Sequence, residues 1–195
     1  MQTTTLSFAN LHNYGELFAN VLRARRETFI VRNKWDLPEA DGMEFDQYDT
    51  PASRWVAVHA RGKVLAGVRL TPTTARCGIY SYMIRDAQLG LLGDIPSTLL
   101  YGTAPVAANV WESSRVFVDP NIAQRLRRPV HLRLIREMVA SSRAQGAVEL
   151  LALIPATWPR WLSPLGLDVS AAGPVLEIAG TRNQAVSINL AEKLH

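Results

Sequence analysis

The stretch that decides the fold is VWESSRVFVD, residues 110–119. Aromatic and β-branched residues dominate it and Pro120 follows it, which is typical of a buried strand. A buried strand with charged residues in its interior is unusual, because an unpaired charge in the core is costly. Two interpretations of Glu112 and Arg115 therefore stay open: a structural ion pair on the sheet, or side chains that carry out chemistry.

Length and composition indicate one domain spanning residues 1–195, since 195 residues with 48% hydrophobic content can build a substantial core. The N-terminus does not have the basic and apolar regions of a signal peptide, and no apolar run is long enough to span a membrane. We therefore expect a cytoplasmic protein without stable membrane association, and a single Cys77 fits a reducing compartment. The four scattered histidines predict no metal site.

Arginine accounts for 18 of the 21 basic residues, and the net charge is +4. The planar guanidinium group suits recognition of carboxylates and phosphates, so an acidic ligand or partner is expected. No nucleic-acid-binding motif or array of stacking aromatics accompanies these arginines, and we expect no nucleic-acid partner.

Hydrophobic spacing gives the order of the elements. The pattern predicts a strand around Leu6 and Phe8, a helix at 14–32, hairpin strands at 54–60 and 64–71 around Arg61-Gly62, a short helix at 83–92, the strand quoted above, a helix starting near Pro129 and ending before Gly146, a strand at 148–154, a short helical connection at 155–162, and strands at 175–178 and 185–190. This order predicts an α/β fold, a three-layer α-β-α sandwich with a mixed, mostly antiparallel sheet. It resembles the acetyltransferase-like (GNAT) architecture.

Residues 33–53 break the periodicity and predict a long loop that is acidic and aromatic in an otherwise basic protein. Loops of this length in compact domains are usually functional or disordered. The rings of Trp35, Phe45 and Tyr48 argue against disorder. Carboxylates and ring faces together suit a cationic ligand.

Four blocks of residues resemble the acyl-homoserine-lactone synthase (autoinducer synthase) family. They are Arg25, Phe29 and Trp35; then Glu44, Asp46, Gln47, Tyr48 and Asp49; then Gly67, Arg69, Leu70, Pro72 and Thr73; and finally Trp111, Glu112 and Arg115. The resemblance covers residues 25–119 and continues more weakly to residue 190. Four blocks in the same order at compatible spacing make the resemblance specific.

The resemblance implies a reaction. Members of that family transfer an acyl chain from acyl-acyl-carrier-protein, or in some cases acyl-coenzyme A, to the amine of S-adenosylmethionine. The product closes to a quorum-sensing lactone and releases methylthioadenosine. It implies S-adenosylmethionine as a substrate, acyl-acyl-carrier-protein as a partner, and no separate cofactor. The oligomeric state stays open.

The residues of the matching blocks then acquire expected roles. We expect Glu112, acting directly or through a water molecule, to be the general base for the amine, with Arg115 as the second catalytic residue. Residues 112 and 115 face opposite sides of a regular strand, so a shared site requires a bulge, unless Arg115 instead braces Asp46 or Asp49. The residues expected to bind S-adenosylmethionine are Arg25, Phe29, Trp35, Asp46, Asp49 and Arg69.

The acyl donor would contact other parts of the chain. An acyl pocket is expected at Phe117, Ala152, Ile154 and Trp158. Carrier-protein docking is expected at Arg125, Arg127, Arg128 and Arg136. The stretch 124–129 has no glycine and contains Pro129, which argues against standard coenzyme A binding and for a protein carrier. Where relatives that prefer 3-oxo chains often carry a threonine, this chain has Ala152 and Ile154, which predicts an acyl chain unsubstituted at carbon 3.

Two other functions stay open at this point. One is a GNAT-type N-acyltransferase that uses acyl-coenzyme A on another small amine. The other is a module without catalytic activity that binds an acidic partner, although the matching blocks keep all their charged positions.

Overall fold

The computed structural model describes residues 1–158, 162 and 165–191. The strands are β1 (Gln2–Leu6), β2 (Glu39–Ala40), β3 (Met43–Glu44), β4 (Arg54–Ala60), β5 (Lys63–Pro72), β6 (Val110–Val118), β7 (Glu149–Pro155), β8 (Asp168–Ile178) and β9 (Thr181–Asn189). The helices are α1 (Leu17–Arg26), α2 (Met83–Gln88) and α3 (Gln124–Ala144), with a short 3₁₀ helix at Leu11–Tyr14 and a π-helical segment at Glu27–Arg32.

The chain forms two compact units. The first unit comprises Met1–Leu70 and Arg115–Ser141, and the second comprises the described residues of Thr71–Ser114 and Ser142–His195. The prediction of one domain over residues 1–195 stays a prediction.

In the first unit, β1, β4 and β5 are neighbours and pair antiparallel. The β4–β5 turn has positive φ at both Arg61 and Gly62, 51° and 79°, which is the geometry that two-residue hairpins favour. Helix α1 places Leu17 and Val21 one turn apart on the same face, and both are buried. The core of this unit consists of Leu6, Leu17, Val21, Phe29, Trp55, Ala57, Val64 and Phe117.

Helix α3 packs against β1 in the same unit. Its apolar side is buried, and Thr3 Oγ1 donates a hydrogen bond of 3.0 Å to Glu137 Oε2. The opposite side of α3 carries arginines that are exposed to solvent. The helix thereby presents a cationic surface to solvent while its apolar side is buried.

In the second unit, β6 pairs parallel with β7, and β9 pairs antiparallel with both β7 and β8. The β6–β7 register includes the pairs from Val110↔Glu149 to Ser113↔Ala152. Leu150, Leu151 and Ala152 are all buried, as expected of a strand whose two faces are both covered.

The structure confirms the predicted α/β class with a mixed sheet of seven strands. The described strand pairs in this sheet include four antiparallel and one parallel pair, as predicted. The hairpin and its turn are also where the sequence predicted them. No helix in the described ranges is long and apolar enough to cross a membrane.

Several predicted boundaries were wrong. Strand β1 ends at Leu6 and leaves Phe8 outside it, the helix predicted at 14–32 begins at Leu17, α2 ends at Gln88 and not at residue 92, and β9 begins four residues before the predicted position 185.

Helix α3 begins at Gln124 and contains Pro129, because a proline one turn after the start removes only one backbone hydrogen bond. Strand β8 begins seven residues before the predicted position 175, since small residues conceal the strand pattern in its first half. The long loop contains the short β2–β3 hairpin. Residues 159–161 of the predicted helical connection lie outside the described residues.

Candidate functional site

Six charged side chains of the first unit form one buried group, which we call the ion-pair cluster. The cluster consists of Arg25, Arg69 and Arg115 with Glu44, Asp46 and Asp49. All six belong to the matching blocks, and the sequence assigned five of them, all except Glu44, to the site, with Arg115 among the predicted catalytic residues. The structure therefore brings together residues that lie up to 90 positions apart in the sequence.

Arg25 lies at the centre of the cluster because α1 turns it towards the core, one turn after Val21. Its Nε donates to Glu44 Oε2 at 2.5 Å. Its Nη1 and Nη2 donate to the two carboxylate oxygens of Asp49 at 2.7 and 3.0 Å. This two-pronged contact uses the planar geometry of the guanidinium group, which lysine could not reproduce.

The two strand arginines complete the cluster. Arg69 on β5 donates to Asp46 and lies 3.2 Å from Asp49. Arg115 on β6 contacts Glu44 Oε1 at 3.1 Å and Asp46 Oδ2 at 2.9 Å. Arg115 has a φ of 54°, which is rare for a residue with a side chain and breaks the regular strand alternation. Of the two alternatives that the sequence left open, the structure shows the second, because Arg115 braces Asp46.

The loop carboxylates are held by short-range hydrogen bonds as well. The backbone N–H of Asp46 donates to Asp49 Oδ2, and that of Tyr48 donates to Asp46 Oδ1, both at 2.9 Å. Trp55 Nε1 donates to Asp49 Oδ1 at 2.8 Å. The acidic loop is thus an ordered structure whose carboxylates have fixed positions.

The cluster is electrically balanced, with three guanidinium groups and three carboxylates. Burial by itself raises the pKa of Asp49, but the charges of Arg69 and Arg25 outweigh it and hold that pKa far below its ordinary value. Burial likewise raises the pKa of Asp46, whereas Arg69 and Arg115 bring it below its usual range. Burial lowers the pKa of Arg25, but the carboxylates of Asp49 and Glu44 together outweigh this effect and the pKa lies above its ordinary value. The guanidinium group is therefore charged at neutral pH.

Aromatic rings lie directly beside the cluster. Phe29 stacks on Trp35 with ring centroids 5.1 Å apart and planes inclined by 16°, and we call these two residues the ring pair. The guanidinium carbon of Arg115 lies 5.6 Å from the centroid of Phe29. Trp35 is only partly buried, so one member of the ring pair is accessible to solvent. Ring faces are negative and attract cations.

Glu112 belongs to the second unit, where it is fully buried. The backbone N–H groups of Ile84 and Met83 donate to its two carboxylate oxygens at 2.8 and 3.3 Å. Glu112 therefore accepts two of the N–H groups that the start of α2 leaves without a helical partner. Burial raises the pKa of the nearby Tyr82 hydroxyl, and the negative charge of Glu112 raises it further.

The other predicted site residues lie in several places. Phe117 is in the core of the first unit, Ala152 and Ile154 are buried on β7, and Trp158 is half-buried. Arg125, Arg127, Arg128 and Arg136 are exposed on α3. Among the residues that the structure describes, no group of side chains has the composition of a metal site.

Sequence reasoning missed two residues of the site. Glu44 bridges Arg25 and Arg115, and Trp55 anchors Asp49. Glu44 is the first residue of the acidic block and lies two positions before Asp46. Its place in that block could have identified it as a site residue. Nothing in the sequence around Trp55 distinguishes it from an ordinary core residue.

Solved structures resemble this fold over nearly the whole chain. TofI, solved in a ternary complex with an inhibitor and MTA, is 26% identical with a TM-score of 0.74, covering 97% of this chain and 92% of TofI. BjaI, a CoA-dependent acyl-homoserine lactone synthase solved with SAM and isopentyl-CoA, has a TM-score of 0.77 at 22% identity, covering 96% of this chain and 82% of BjaI. An acyl-CoA N-acyltransferase from Pseudomonas aeruginosa has a TM-score of 0.59 at 16% identity, covering 95% of this chain and 97% of that one, which confirms the acetyltransferase-like fold.

Sequence comparisons give the family. The acyl-homoserine-lactone synthase of Acinetobacter nosocomialis is 30% identical over 178 residues, which cover 87% of this chain and 90% of that protein. The family model described as autoinducer synthase matches residues 9–192. The chain therefore belongs to the autoinducer synthase family, and its activity is acyl-homoserine-lactone synthesis, an acyltransferase reaction.

Proposed function

We propose that the first unit binds S-adenosylmethionine beside the ring pair and that Glu112 activates its amine for acylation from acyl-acyl-carrier-protein. The observation that carries this proposal is the ring pair, half open to solvent, next to Arg115 and the ion-pair cluster. A sulfonium cation and a carboxylate on one substrate match an aromatic face with a guanidinium group beside it. The MTA in the TofI complex is the fragment that such a reaction would release.

The burial of the three arginines divides their proposed roles. The side chains of Arg25 and Arg69 are 1% and 0% exposed, whereas that of Arg115 is 11% exposed. Arg115 is therefore the guanidinium group that we assign to the substrate carboxylate. Arg25 and Arg69, which the sequence offered for the same task, instead hold the loop carboxylates in place from behind. Because the cluster is neutral, the attraction for the sulfonium comes chiefly from the rings.

Acylation requires an unprotonated amine. An α-amine has a pKa of about 7.7–8.0, so much of it carries a proton at neutral pH. A carboxylate that takes this proton lets the nitrogen attack the thioester carbonyl, after which the thiol leaves. Glu112 is fully buried and both its oxygens accept backbone hydrogen bonds. Transfer of the proton through a water molecule fits that position better than direct contact.

Lactone closure is a different kind of step. The carboxylate oxygen of the acylated intermediate attacks the carbon that bears the sulfonium, and methylthioadenosine leaves as a neutral thioether. The sulfonium is a good leaving group, so the site contributes mainly by folding the substrate until the two atoms meet. If the ring pair holds one end of the substrate and Arg115 holds the other, the substrate is restricted to such a conformation.

The proposed donor is a protein carrier because of the solvent face of α3. Successive residues of an α-helix are rotated by about 100°, which puts Arg125, Arg128, Arg133 and Arg136 on one side. Within the part of the chain that the structure describes, no acidic side chain forms a hydrogen bond or ion pair with these four arginines. Arg127 points elsewhere and donates to Pro120 O at 2.7 Å. The proposed docking surface therefore consists of Arg125, Arg128, Arg133 and Arg136, and Arg127 is not part of it.

One argument for the carrier was wrong. Pro129 was expected to remove an N–H group from a phosphate-binding helix start, but the helix starts at Gln124 and its first turn precedes the proline. The absence of glycine from residues 124–129 still argues against the usual coenzyme A loop. The donor proposal therefore rests on the cationic face of α3 and on this missing glycine.

The reaction itself is tested with labelled S-adenosylmethionine and a panel of acyl chains, each offered on carrier protein and on coenzyme A. We expect labelled methylthioadenosine and an acyl-homoserine lactone, with a higher kcat/KM for the carrier-bound donor. A higher kcat/KM for acyl-coenzyme A would contradict the donor proposal only. Acylation of a different amine, with S-adenosylmethionine left intact, would instead favour the GNAT-type N-acyltransferase.

Removing the cationic face should affect the donor alone. In the variant with Arg125, Arg128 and Arg136 all replaced by Gln, we expect KM for the carrier-bound donor to rise about tenfold at low salt and less at high salt, because screening already weakens the attraction. KM for S-adenosylmethionine should stay unchanged. A control with the same net charge replaces the exposed Arg61, Arg76 and Arg182 by Gln. An equal effect in the control would reduce the α3 arginines to general surface charge.

A further inference from the structure

Position 67, midway along β5, needs a glycine because a neighbouring aromatic ring leaves no room for a side chain. The backbone conformation there does not itself call for glycine. Gly67 is absent from the glycines with positive φ. A Cβ atom added at this position would lie 2.8 Å from Phe117 Cε1, 2.9 Å from Phe117 Cζ and 3.3 Å from Val56 O. Real Cβ contacts with carbon do not come as close as 2.8 Å, so the ring of Phe117 occupies the space that a side chain would need. Glycine in a strand commonly marks such a close approach.

Phe117 connects this point to the ring pair. Its ring meets Phe29 edge-on, with centroids 6.2 Å apart and planes at 83°. Phe29 in turn stacks on Trp35 and lies under Arg115. The contacts therefore run without interruption from Gly67 through Phe117 to the ring pair.

We propose that Gly67 and Phe117 are positioning residues for the S-adenosylmethionine site: the Phe117 ring, seated on Gly67, sets the location of the ring pair. The inference rests on the proposed role of the ring pair in binding the sulfonium. It assigns Phe117 to the side of the amine substrate, whereas the sequence placed it in the acyl pocket.

The packing explains why a small change at Gly67 would be transmitted through Phe117 to Phe29. Phe117 is 4% exposed and belongs to the core of the first unit, so its ring has no empty space to move into. Interiors packed at this density pass strain on to their neighbours. The neighbour that can give way is Phe29, because its stacking partner Trp35 is only partly buried.

The test compares Gly67→Ala, Phe117→Leu and the double variant. Leucine has no Cε1 or Cζ atom, so the double variant removes the two atoms that the new Cβ would meet. For Gly67→Ala we expect Kd and KM for S-adenosylmethionine to rise about tenfold, while KM for the acyl donor and the acyl-chain preference stay within twofold. The double variant should bind S-adenosylmethionine as well as Phe117→Leu does. Gly93→Ala is the matched control, because its Cβ would meet nothing within 4 Å and its φ is ordinary.

A readout without ligand separates this inference from the proposed function. In the free protein, Gly67→Ala should shift the indole NMR resonance of Trp35 relative to wild type. The double variant should show the same Trp35 resonance as Phe117→Leu, and Gly93→Ala should leave the wild-type resonance unchanged. Three results would overturn the positioning role: an unmoved Trp35 resonance in Gly67→Ala, a loss confined to the acyl donor, or a double variant that binds S-adenosylmethionine less tightly than Phe117→Leu does. Wild-type protein that does not bind S-adenosylmethionine at all would instead overturn the proposed function.

The stability of Gly67→Ala does not limit the test. If this variant does not fold, the double variant should fold, because the clash is with the outer ring atoms of Phe117. A double variant that is also unfolded would overturn the inference, since the added methyl group would then clash with something other than that ring.

Discussion

Replacing Glu112 with Gln is expected to lower kcat by about 10²–10⁴-fold, the range by which a general base typically accelerates a reaction. The amide keeps the size of the side chain but cannot take a proton from the amine. Its oxygen can still accept the hydrogen bond from Ile84 N, which is the shorter of the two contacts. Its NH₂ group, however, faces the N–H of Met83, so the variant should also unfold at a lower temperature.

The experiment measures methylthioadenosine release at saturating substrates, together with thermal unfolding and the Kd for S-adenosylmethionine. A matched control is Glu149→Gln on β7, which removes a carboxylate of the same unit that accepts a hydrogen bond from Ser187. We expect the control to keep its kcat. A Glu112→Gln variant with wild-type kcat would exclude Glu112 as the base and leave it as the cap of α2.

A second substitution separates those two roles. Glu112→Asp keeps the charge but withdraws the carboxylate by one methylene, out of reach of the α2 N–H groups. If Glu112 acts through a water molecule, part of the activity should persist in Glu112→Asp although the cap is lost. If the cap alone matters, Glu112→Asp should be the more impaired variant, because Gln keeps the hydrogen bond from Ile84 N, and the loss of activity should follow thermal stability.

The sequence located the charged residues of the site well, but it could not say what they contact. Arg25, Asp46 and Asp49 were expected to meet a ligand, and in the structure they meet each other. Arg115 and Glu44 are 71 positions apart, and no local pattern predicts a pair at that separation. Residue type and spacing identify chemistry, whereas the pairing of charges depends on how distant segments pack.

Backbone conformation was the other limit of the sequence. An irregularity on β6 was one of two alternatives that the positions of its charged residues left open, and arginine has no preference for positive φ that would locate it at Arg115. Gly67 is the opposite case, because a glycine in a strand does indicate a close approach but not to which residue. Only the coordinates identify Phe117 as that neighbour.

Replacing Arg25 with Met is expected to lower the free energy of unfolding by about 3–5 kcal/mol, the usual effect of removing one partner from a buried ion pair. The variant leaves two arginines against three carboxylates, and Glu44 and Asp49 lose their closest cationic contacts. Urea denaturation at neutral pH measures the change. Arg23 lies on the same helix, where its side chain is 48% exposed and pairs with Glu16, 77% exposed. Arg23→Met should cost at most about 1 kcal/mol, as is usual for exposed pairs.

Charge balance can be tested directly by a double variant. Arg25→Met combined with Asp49→Asn restores equal numbers of guanidinium groups and carboxylates in the cluster. If uncompensated charge causes the loss, the double variant should be more stable than the sum of the two single changes predicts, because each substitution removes the charge that the other leaves unpaired. Simple additivity would mean that the loss comes from packing and individual hydrogen bonds. In that case the cluster would hold the acidic loop through packing and individual hydrogen bonds. Equal numbers of guanidinium groups and carboxylates would then not be needed for the stability of the cluster.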